Sequence, residues 1–303
     1  MLTRDTAAFL DFARACQADF GPTTAKAAFL VAPDGFVLAT ESASDNRYMA
    51  DAAAFDATRA SAQHRELQRA LSAELPVICF AGDPATPDAV FPNNVYATAR
   101  GTSIIGRMRH PVRQREAMRS DIRRFFANAL GYSQIDLSTQ PHVCELTGAL
   151  VIDRARGLGY CGLSERCDEA GARLMHDAFG LRATLMFDLA PGEYHTNVVL
   201  AVLAGRAALI CPDGFADPAV VETIAAGYSP HAIRLTPAER AAFAGNAISL
   251  SPDTVWMSAT AAQALSAATC GALAAAGFAV RSVALDAIEA AGGSLRCCIG
   301  ELY

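Results

Sequence analysis

Three side chains of this sequence have the types needed for nucleophilic and acid–base chemistry. Cys297 directly follows Arg296, and a neighbouring cation favours the ionised thiol, which is the reactive form. His195 could transfer protons, and the Glu145 carboxylate could hold a cation. Each also has an ordinary interpretation, because free cysteine is usually a small buried apolar residue, and the other two could be a loop histidine and a paired surface carboxylate. The chemistry therefore requires a fold that brings the three together.

The elements that would position Cys297 are short. Gly292 and Gly293 allow the backbone to turn sharply and to approach a ligand closely. Residues 295–302 are mostly apolar and predict a short buried strand. Cys297 would then lie at the mouth of that strand.

A pattern that recurs about every 50 residues positions the other candidates. Each copy predicts an apolar strand, a turn, a returning strand, an amphipathic helix and a closing strand. In the order first strand, returning strand, helix and closing strand, the first copy is predicted at residues 95–99, 103–106, 113–130 and 134–137, and the second at 149–152, 159–163, 167–179 and 184–187. The third copy is predicted at 198–203, 207–211, 218–226 and 232–235. The fourth has strands at 247–250 and 255–258, an Ala-rich helix and a closing strand at 279–283.

The fifth copy is divided between the two ends of the chain. Residues 296–302 supply its first strand, and residues 27–32, 48–71 and 76–80 supply the second strand, the helix and the closing strand. Five such ββαβ units hide their strand edges only by closing on themselves. We therefore predict an α/β ring, closed by pairing of the N- and C-terminal segments, as one domain over residues 1–303. The alternative is an ordinary α+β protein with several hairpins.

In such a ring the starts of the first strands face the central axis at one end. The residues at these starts are polar or reactive, namely Asn93, Asn94, Glu145, His195, Asn197, Asn246 and Cys297. Each alone is unremarkable, since Asn246, for example, could be a turn residue. Together they supply a nucleophile, a proton shuttle and a cation-binding carboxylate.

The composition argues against several other classes of function. The 303 residues are 52% hydrophobic, have a formal net charge of −6 and show no basic stripe, so neither nucleic acid nor an anionic membrane is an expected partner. Lys26 is the one lysine in the sequence, and no glycine-rich phosphate loop is present. Both facts argue against Schiff-base chemistry and nucleotide hydrolysis.

Cysteine usage and hydropathy predict the compartment. Nine cysteines with irregular spacing and no C-x-x-C pair suit a reducing compartment and argue against a structural zinc site. Asp11 and Arg14 interrupt the first segment, so no signal-peptide core is expected. The uncharged residues 254–280 are too weakly apolar for a membrane span. We expect a cytoplasmic protein that needs neither metal nor organic cofactor, and a homodimer is left open.

Six stretches of the sequence resemble the guanidino-group-modifying enzymes, which include arginine deiminases, dimethylarginine dimethylaminohydrolases and arginine dihydrolases. The resemblance is greatest to a bacterial branch described as amidinotransferase-like or citrulline-utilisation hydrolases. The stretches are residues 87–94, 145–148, 162–166, 194–197, 243–246 and 292–297. The resemblance covers nearly the whole chain, and it implies the five-bladed pseudosymmetric α/β propeller (pentein) fold.

The resemblance also implies roles for individual residues. Cys297 matches the nucleophile, His195 the general acid/base and Glu145 the carboxylate that contacts the substrate guanidinium. Cys298 falls where relatives have methionine or a second, non-catalytic cysteine.

Three further positions match residues that bind the substrate. Arg166 matches an arginine that holds the α-carboxylate of a guanidino or ureido amino acid, and Asp88 a polar substrate contact. Arg113 matches a second carboxylate-binding arginine, with a solvated helix charge as the alternative.

Two asparagines depart from the deiminase pattern. Relatives that deiminate arginine have aspartate where this chain has Asn94 and Asn197, and residues 145–148 replace their Glu-Gly-Gly-Asp. An amide in place of a carboxylate costs about 1–2 kcal/mol of preference for a cation. It can also donate a hydrogen bond to a neutral ureido oxygen. Arginine dihydrolases, which proceed past citrulline to ornithine, resemble this chain in having asparagine at the first position.

These observations favour a hydrolase that cleaves carbon–nitrogen bonds at a guanidinium or ureido carbon through a covalent Cys-thiouronium intermediate. The alternatives are a dihydrolase or citrulline hydrolase that yields ornithine, an amidinotransferase in which an amine replaces water, and a binding protein on the same fold.

Overall fold

Fifteen short strands form five separate sheets in residues 1–49 and 55–303, the part of the chain that the computed structural model describes. The strands are β1 (Leu2–Thr3), β2 (Ala27–Val31), β3 (Val77–Phe80), β4 (Tyr96–Ala99), β5 (Thr102–Ile105), β6 (Ser133–Asp136), β7 (Leu150–Asp153), β8 (Leu158–Leu163), β9 (Ala183–Asp188), β10 (Leu200–Leu203), β11 (Ala207–Ile210), β12 (Ala232–Arg234), β13 (Thr254–Ser258), β14 (Ala279–Val283) and β15 (Gly300–Leu302).

Four of the sheets share one topology, in which an antiparallel pair is followed by a third strand parallel to its neighbour. These sheets are β4–β5–β6, β7–β8–β9, β10–β11–β12 and β15–β2–β3. In the first three, both antiparallel strands come from one hairpin. In the second, β1 adds a parallel edge strand beside β9. The remaining sheet has only the parallel pair β13 and β14.

The α-helices are mostly short. They are α1 (Thr6–Ala15), α2 (Thr40–Ala43), α3 (Ala57–Ser72), α4 (Pro111–Gln114), α5 (Ser120–Arg124), α6 (Leu146–Ala149), α7 (Glu169–Ala178), α8 (Thr196–Val199), α9 (Pro218–Gly227), α10 (Pro237–Ala241), α11 (Ala259–Ala264), α12 (Ala267–Ala275) and α13 (Asp286–Glu289). Turns of 3₁₀-helix lie at Pro87–Val90, Pro92–Asn94, Glu116–Met118, Pro212–Gly214 and Leu295–Cys298, and a π-helical turn lies at Phe125–Ala129.

Capping residues explain where the longer connecting helices begin. The side chains of Asp56, Asp168 and Asp217 accept hydrogen bonds from backbone N–H groups in the first turns of α3, α7 and α9. Each helix then buries one apolar face, as α3 does with Leu67 and Leu71. None of the helices in the described residues is long and apolar enough to cross a membrane.

The predicted pairing of the two chain ends is confirmed. Strand β15 runs antiparallel to β2, with Gly300 opposite Phe29 and Leu302 opposite Ala27. The hairpins and parallel strands of the first three predicted units are also present, with bounds shifted by one or two residues. The mixed α/β class is therefore correct.

Several element boundaries were predicted wrongly. Residues 247–250 form no strand, because the chain pairs through one bridge between Ile248 and Trp256 before the tight turn in which Ser251 bonds to Asp253 and Thr254. The helix predicted at 113–130 is broken at Arg119, whose ψ of 99° leaves the helical region. The Ala-rich helix is divided between α11 and α12.

Two further predictions concern the divided unit. The strand predicted at 296–302 begins only at Gly300, because Leu295–Cys298 is a 3₁₀ turn closed by the bond from the Cys297 N–H to the Ser294 carbonyl. The helix predicted at 48–71 begins at Ala57 in α3, and residues 50–54 lie outside the described part of the chain.

A single helical turn precedes the first strand of each of the four sheets that share one topology. The turn at Pro92–Asn94 leads to β4, α6 to β7, α8 to β10 and the turn at Leu295–Cys298 to β15. Backbone N–H groups in the first turn of a helix have no partner within it. The short turns therefore present backbone and side-chain polar groups at equivalent places in the four units.

We predict that the junction between the chain ends tolerates no added side chain. The Cβ of alanine at Gly300 would lie 2.1 Å from two ring carbons of Phe29. Such overpacking typically costs about 1–3 kcal/mol, so Gly300→Ala should lower the midpoint of urea unfolding. Gly271→Ala in α12 is the matched control, because its Cβ would meet no described atom within 4 Å. Equal unfolding midpoints for the two variants would contradict the prediction.

Candidate active site

A buried cavity lies between the ends of several units. Cys297, His195, Asp88, Asn94 and Arg113 line it. Further lining comes from Ser42 and Asn46 in residues 41–49, which we call the strap. The sequence positions of these groups span more than 250 residues, so only the tertiary fold brings them together.

Two side-chain amides lie within hydrogen-bond distance of the Cys297 thiol. The Sγ atom lies 3.3 Å from Nδ2 of Asn246 and 3.7 Å from Nδ2 of Asn197. Asn246 is itself fixed, because its Nδ2 donates to the Asn197 carbonyl at 2.8 Å and its Oδ1 accepts from the Arg296 N–H at 3.0 Å. Burial raises the pKa of the thiol, while the Asn246 hydrogen bond, the Ser294 backbone and the Arg296 charge act in the opposite direction. The thiol is thus protonated at neutral pH when the cavity contains no cation.

The Arg296 cation, which follows Ser294 and Leu295 and precedes Cys297, does not contact the thiol directly. The Arg296 side chain turns away to an ion pair with Glu301 at 2.7 Å and to the Ile299 carbonyl at 2.9 Å. Its influence on Cys297 is therefore a charge at a distance rather than a direct contact.

The Glu145 carboxylate fixes the imidazole of His195. Nε2 of His195 lies 2.9 Å from Oε2 of Glu145. Burial disfavours the Glu145 charge, but Arg166 and the His195 hydrogen bond outweigh it and hold the pKa of Glu145 well below its usual value. An ionised carboxylate only accepts hydrogen bonds, so Nε2 carries the proton.

Nδ1 of His195 is consequently left as the basic atom of the ring. Among the described residues it has no hydrogen-bond partner. Burial lowers the pKa of His195, with Arg166 and Arg113 acting in the same direction, while Glu145 opposes them. A neutral imidazole with one free basic nitrogen can accept a proton at neutral pH.

Gly148 makes the close approach of His195 and Asn94 possible. A Cβ at Gly148 would lie 2.6 Å from Oδ1 of Asn94 and 2.8 Å from Nδ1 of His195. Both polar atoms lack a partner within the described part of the chain. Because glycine has no side chain at this position in α6, Oδ1 of Asn94 and Nδ1 of His195 both lie close to the Gly148 backbone as unpaired acceptors.

Asp88 and Arg113 are two further polar residues that line the cavity. The Arg113 guanidinium is buried and pairs through Nε and Nη2 with both carboxylate oxygens of Glu116, at 2.8 and 2.9 Å. Nη2 also donates to the Phe91 carbonyl at 2.9 Å. Asp88 accepts a hydrogen bond from the Ser42 hydroxyl at 2.7 Å. Arg113 is thus a buried, paired cation and not the solvated helix charge that was the alternative.

Arg166 does not line the cavity. Its Nε donates to Oδ2 of Asp45 at 2.9 Å, its Nη1 to Oε2 of Glu145 at 3.3 Å and its Nη2 to the Ser42 carbonyl at 3.2 Å. The guanidinium is almost fully buried, and its Nη1 contacts the same Glu145 oxygen, Oε2, as Nε2 of His195.

The structure thus divides the predicted site residues into three groups. Cys297, His195, Asp88, Asn94 and Arg113 face the cavity, and Glu145, Asn197 and Asn246 support those that do. The Asn93 side chain is buried without a partner in the described structure, while its carbonyl accepts from the Thr147 hydroxyl at 3.0 Å. Arg166 contacts Glu145, Asp45 and the Ser42 carbonyl.

The sequence reasoning missed the strap. Asn46 Nδ2 donates to the Gly292 carbonyl at 3.2 Å, and the Tyr48 hydroxyl donates to Glu193 at 2.8 Å. A bridge between Met49 and Ala291 adds backbone contact. Residues 41–49 are polar and have no periodic pattern, so no local signal connected them with Cys297.

The fold and this cavity define the class of protein. A cysteine before β15 and a histidine before β10 line one cavity, and a buried carboxylate is bonded to the histidine. The family model described as N,N dimethylarginine dimethylhydrolase, eukaryotic, matches residues 32–303. The chain therefore belongs to this family and is a hydrolase that acts on amidino carbon–nitrogen bonds.

Solved structures support the fold. The N-terminal domain of ArgZ, a cyanobacterial arginine dihydrolase crystallised with substrate, superposes with a TM-score of 0.80 at 21% identity, over 91% of this chain and 97% of that domain. AgrE with ornithine and NAD⁺ gives 0.79 at 22% identity, over 91% of this chain and 39% of AgrE. A dimethylarginine dimethylaminohydrolase adduct with S-methyl-L-thiocitrulline gives 0.70 at 20% identity, over 92% and 100% of the two chains. No curated protein matches the sequence.

We predict that the bare backbone at Gly148 is required for activity. Gly148→Ala would push the Asn94 amide or the His195 ring from its place, and a displacement of about 1 Å in a catalytic group can cost roughly 100-fold in rate. The kcat/KM for ammonia release should therefore fall by about that factor, whereas Gly271→Ala should keep it. A folded Gly148→Ala variant with unchanged kcat/KM would refute the prediction.

Proposed function

We propose that this protein hydrolyses a carbon–nitrogen bond at the guanidinium carbon of arginine or a close analogue, through a covalent intermediate on Cys297. The observation that carries the proposal is the pair of groups facing one cavity, a thiol and an imidazole whose tautomer Glu145 fixes. Asp88, Asn94 and Arg113 are the cavity residues that we assign to substrate binding, with Asn93, Asn197 and Asn246 as supporting amides.

The first half of the reaction forms the intermediate. Nδ1 of His195 has no hydrogen bond with the Cys297 thiol in the described structure, so the thiol gives its proton to Nδ1 through one bridging water, and the thiolate attacks the guanidinium carbon. The resulting imidazolium returns that proton to the departing nitrogen, so the carbon–nitrogen bond breaks and ammonia or an amine leaves. A positively charged S-alkylthiouronium remains bound to Cys297.

The second half uses the same histidine as a base. Nδ1 of His195 takes a proton from water, and the hydroxide attacks the thiouronium carbon. The carbon–sulfur bond breaks, the thiolate recovers a proton from the imidazolium, and the protonated ureido product releases its excess proton to solvent. Glu145 keeps the ring oriented and stabilises its charge in both halves.

The substrate cation itself supplies the charge that the thiol lacks. The Cys297 thiol is neutral in the free cavity because burial raises its pKa, and the Arg296 guanidinium is turned away. A guanidinium beside Sγ would favour the thiolate. A cationic substrate would then promote productive ionisation of Cys297.

The amides that hold the Cys297 thiol favour a second candidate, a dihydrolase or citrulline hydrolase that yields ornithine. No carboxylate of the described residues contacts Sγ of Cys297, which meets only the amides of Asn197 and Asn246. A neutral ureido carbon can be accommodated beside amides, which donate as well as accept hydrogen bonds. The fold relative ArgZ is described as an arginine dihydrolase.

The spatial arrangement of the five sheets supports a closed five-bladed propeller as a single domain. Contacts join β15 to β4, α6 to the turn at Pro92–Asn94, β7 to β10 and β13 to the turn at Leu295–Cys298. In a propeller of this kind, the turns that carry Asn94, Glu145, His195 and Cys297 would surround one end of the axis.

The nucleophile is tested by a pair of adjacent cysteines. Cys297→Ser should abolish ammonia release from every compound in a panel of arginine, methylated arginines and citrulline, because a serine hydroxyl ionises far less readily than a thiol. Cys298→Ser is the control, since the Cys298 thiol points to the Ser294 carbonyl at 3.5 Å and should leave the activity largely intact. Citrulline, ornithine and urea quantified beside ammonia would distinguish one cycle from two. Full activity in Cys297→Ser would contradict the proposal.

Activation of the thiol by a cation is tested with two isosteric alkylating agents. 2-Chloroacetamidine is a cation at neutral pH, and chloroacetamide is neutral. Because burial raises the thiol pKa, chloroacetamide should react slowly at pH 7 and faster as the pH rises through that raised pKa. The amidine should react with Cys297 at least about 10-fold faster at pH 7, since the charge favours the thiolate. Equal rates, measured by mass spectrometry with Cys297→Ser as the blank, would argue against cation-assisted ionisation.

A further inference from the structure

One buried arginine, Arg154, has no carboxylate partner in the part of the chain that the structure describes. Its side chain belongs to a residue that is only 8% exposed, and within the described residues its one hydrogen bond runs from Nη1 to the Thr98 carbonyl at 3.2 Å. The similarly buried Arg113, by contrast, pairs with both carboxylate oxygens of Glu116. Arginine is almost never buried to this extent unless it is paired. The charge of Arg154 therefore lacks its usual compensation.

Two aromatic rings stabilise this charge only in part. The Cζ atom of Arg154 lies 4.1 Å from the ring centroid of Tyr303 and 5.2 Å from that of Phe179. A cation over an aromatic face is attracted by the ring, but the rings carry no opposite charge. Nε and Nη2 of Arg154 have no hydrogen-bond partner among the described residues. Both nitrogens are therefore left for a ligand.

Arg154 lines a cavity of about 40 Å³, which we call the anion cavity, and this cavity shares no lining residue with the one that contains Cys297. Its walls come from strands β7, β10 and β15 and from residues 247–249. The exposed residue Thr23 also lines it, so the cavity reaches the surface of the chain. A buried water needs about 10–15 Å³ on this measure. The anion cavity therefore has room for about three waters, or for one anion of similar size.

The other polar groups of the anion cavity leave a single positive charge and a free hydroxyl. Arg296 and Glu301 line it as an ion pair at 2.7 Å, and the Tyr303 hydroxyl donates to the second Glu301 oxygen at 2.7 Å. Ser249 also lines it, and its buried Oγ has no partner in the described structure. Arginine has donors and no acceptor, and a serine hydroxyl can donate as well. A ligand with one negative charge and several acceptor atoms matches these groups.

We propose that the anion cavity binds a small planar oxyanion of the formate, nitrate or bicarbonate type, held by Arg154 and Ser249. A guanidinium presents parallel N–H groups in one plane, which match two oxygens of such an anion. The Ser249 hydroxyl supplies a further donor. The proposal does not depend on the reaction at Cys297, because the anion cavity is a different one.

The position of Arg154 predicts that a bound anion stabilises the fold. Arg154 follows β7, its partner Thr98 lies in β4, and Tyr303 follows β15. An anion on Arg154 would therefore compensate a charge that is buried where three segments of the chain meet. A ligand that binds only the folded chain at 100 times its dissociation constant raises the folding equilibrium constant about 100-fold. Binding can thus be measured without any substrate.

The test follows urea unfolding of the full chain through the fluorescence of Trp256, the one tryptophan in the sequence. Sodium formate, nitrate or bicarbonate replaces sodium gluconate, whose anion is too large for the cavity, at constant pH and ionic strength. With at least one of the three, the folding equilibrium constant of the wild-type chain should rise in proportion to the anion concentration above the dissociation constant. The three dissociation constants then distinguish a carboxylate from an inorganic oxyanion as the preferred ligand.

Two variants locate the binding site. Arg154→Gln removes the charge and should abolish the anion-dependent increase. Ser249→Ala removes only a hydroxyl that has no partner in the described part of the chain, so it should fold normally and bind the anion about 10-fold more weakly. Arg206→Gln is the matched control, because Arg206 also lies over an aromatic ring, that of Phe278 at 4.0 Å, but does not line the anion cavity. It should keep the wild-type response.

Two results would overturn the inference. One is the absence of any anion-specific increase in the wild-type chain, which would mean that the cavity holds water only. The other is an increase of equal size in the wild-type chain, Arg154→Gln and Ser249→Ala, which would be a general effect of the salts or binding elsewhere. If Arg154→Gln did not fold, the comparison of Ser249→Ala with Arg206→Gln would decide the question.

Discussion

A single buried carboxylate, that of Glu145, has the strictest requirements of any group in the site. It is fully buried and ionised, and an ion taken out of water without partners costs several kcal/mol. Here the cost is offset by His195, Arg166 and the Arg109 N–H, which come from three other segments. Because each partner must lie within hydrogen-bond distance, this one charge fixes the relative positions of those segments.

The helical turns at the strand starts explain how so many polar groups reach one place without disrupting the core. Strands β4, β7 and β10 are largely buried and apolar, so each polar side chain within them needs a partner of its own. The turn before each strand ends the apolar run and turns the backbone, and Glu145 and His195 are the residues that cap α6 and α8. The polar residues of the site and the apolar residues of the core therefore lie in adjacent but separate parts of each unit.

The strap adds residues that the repeated units do not contain. It contacts the Gly292 carbonyl, Asp88, Glu193 and Arg166, so it is attached to several segments that carry the site. An attachment through directional polar bonds places Ser42 and Asn46 over the cavity in one arrangement. Apolar packing alone would leave more freedom, since it is not directional.

Apolar periodicity is a local property, and it was sufficient to predict the hairpins, the pairing of β15 with β2 and the residues Cys297, His195 and Glu145 as candidates. It failed at residues 247–250 and 113–130, where a tight turn and the extended Arg119 interrupt otherwise regular patterns. The partners of each polar side chain were decided only by the tertiary structure. Arg166, for example, is bound by Asp45 and Glu145. Ion pairs and hydrogen bonds can join residues more than 100 positions apart, and they produce no periodic pattern in the sequence. The strands and helices of each unit could therefore be predicted, but the contacts among their polar side chains could not.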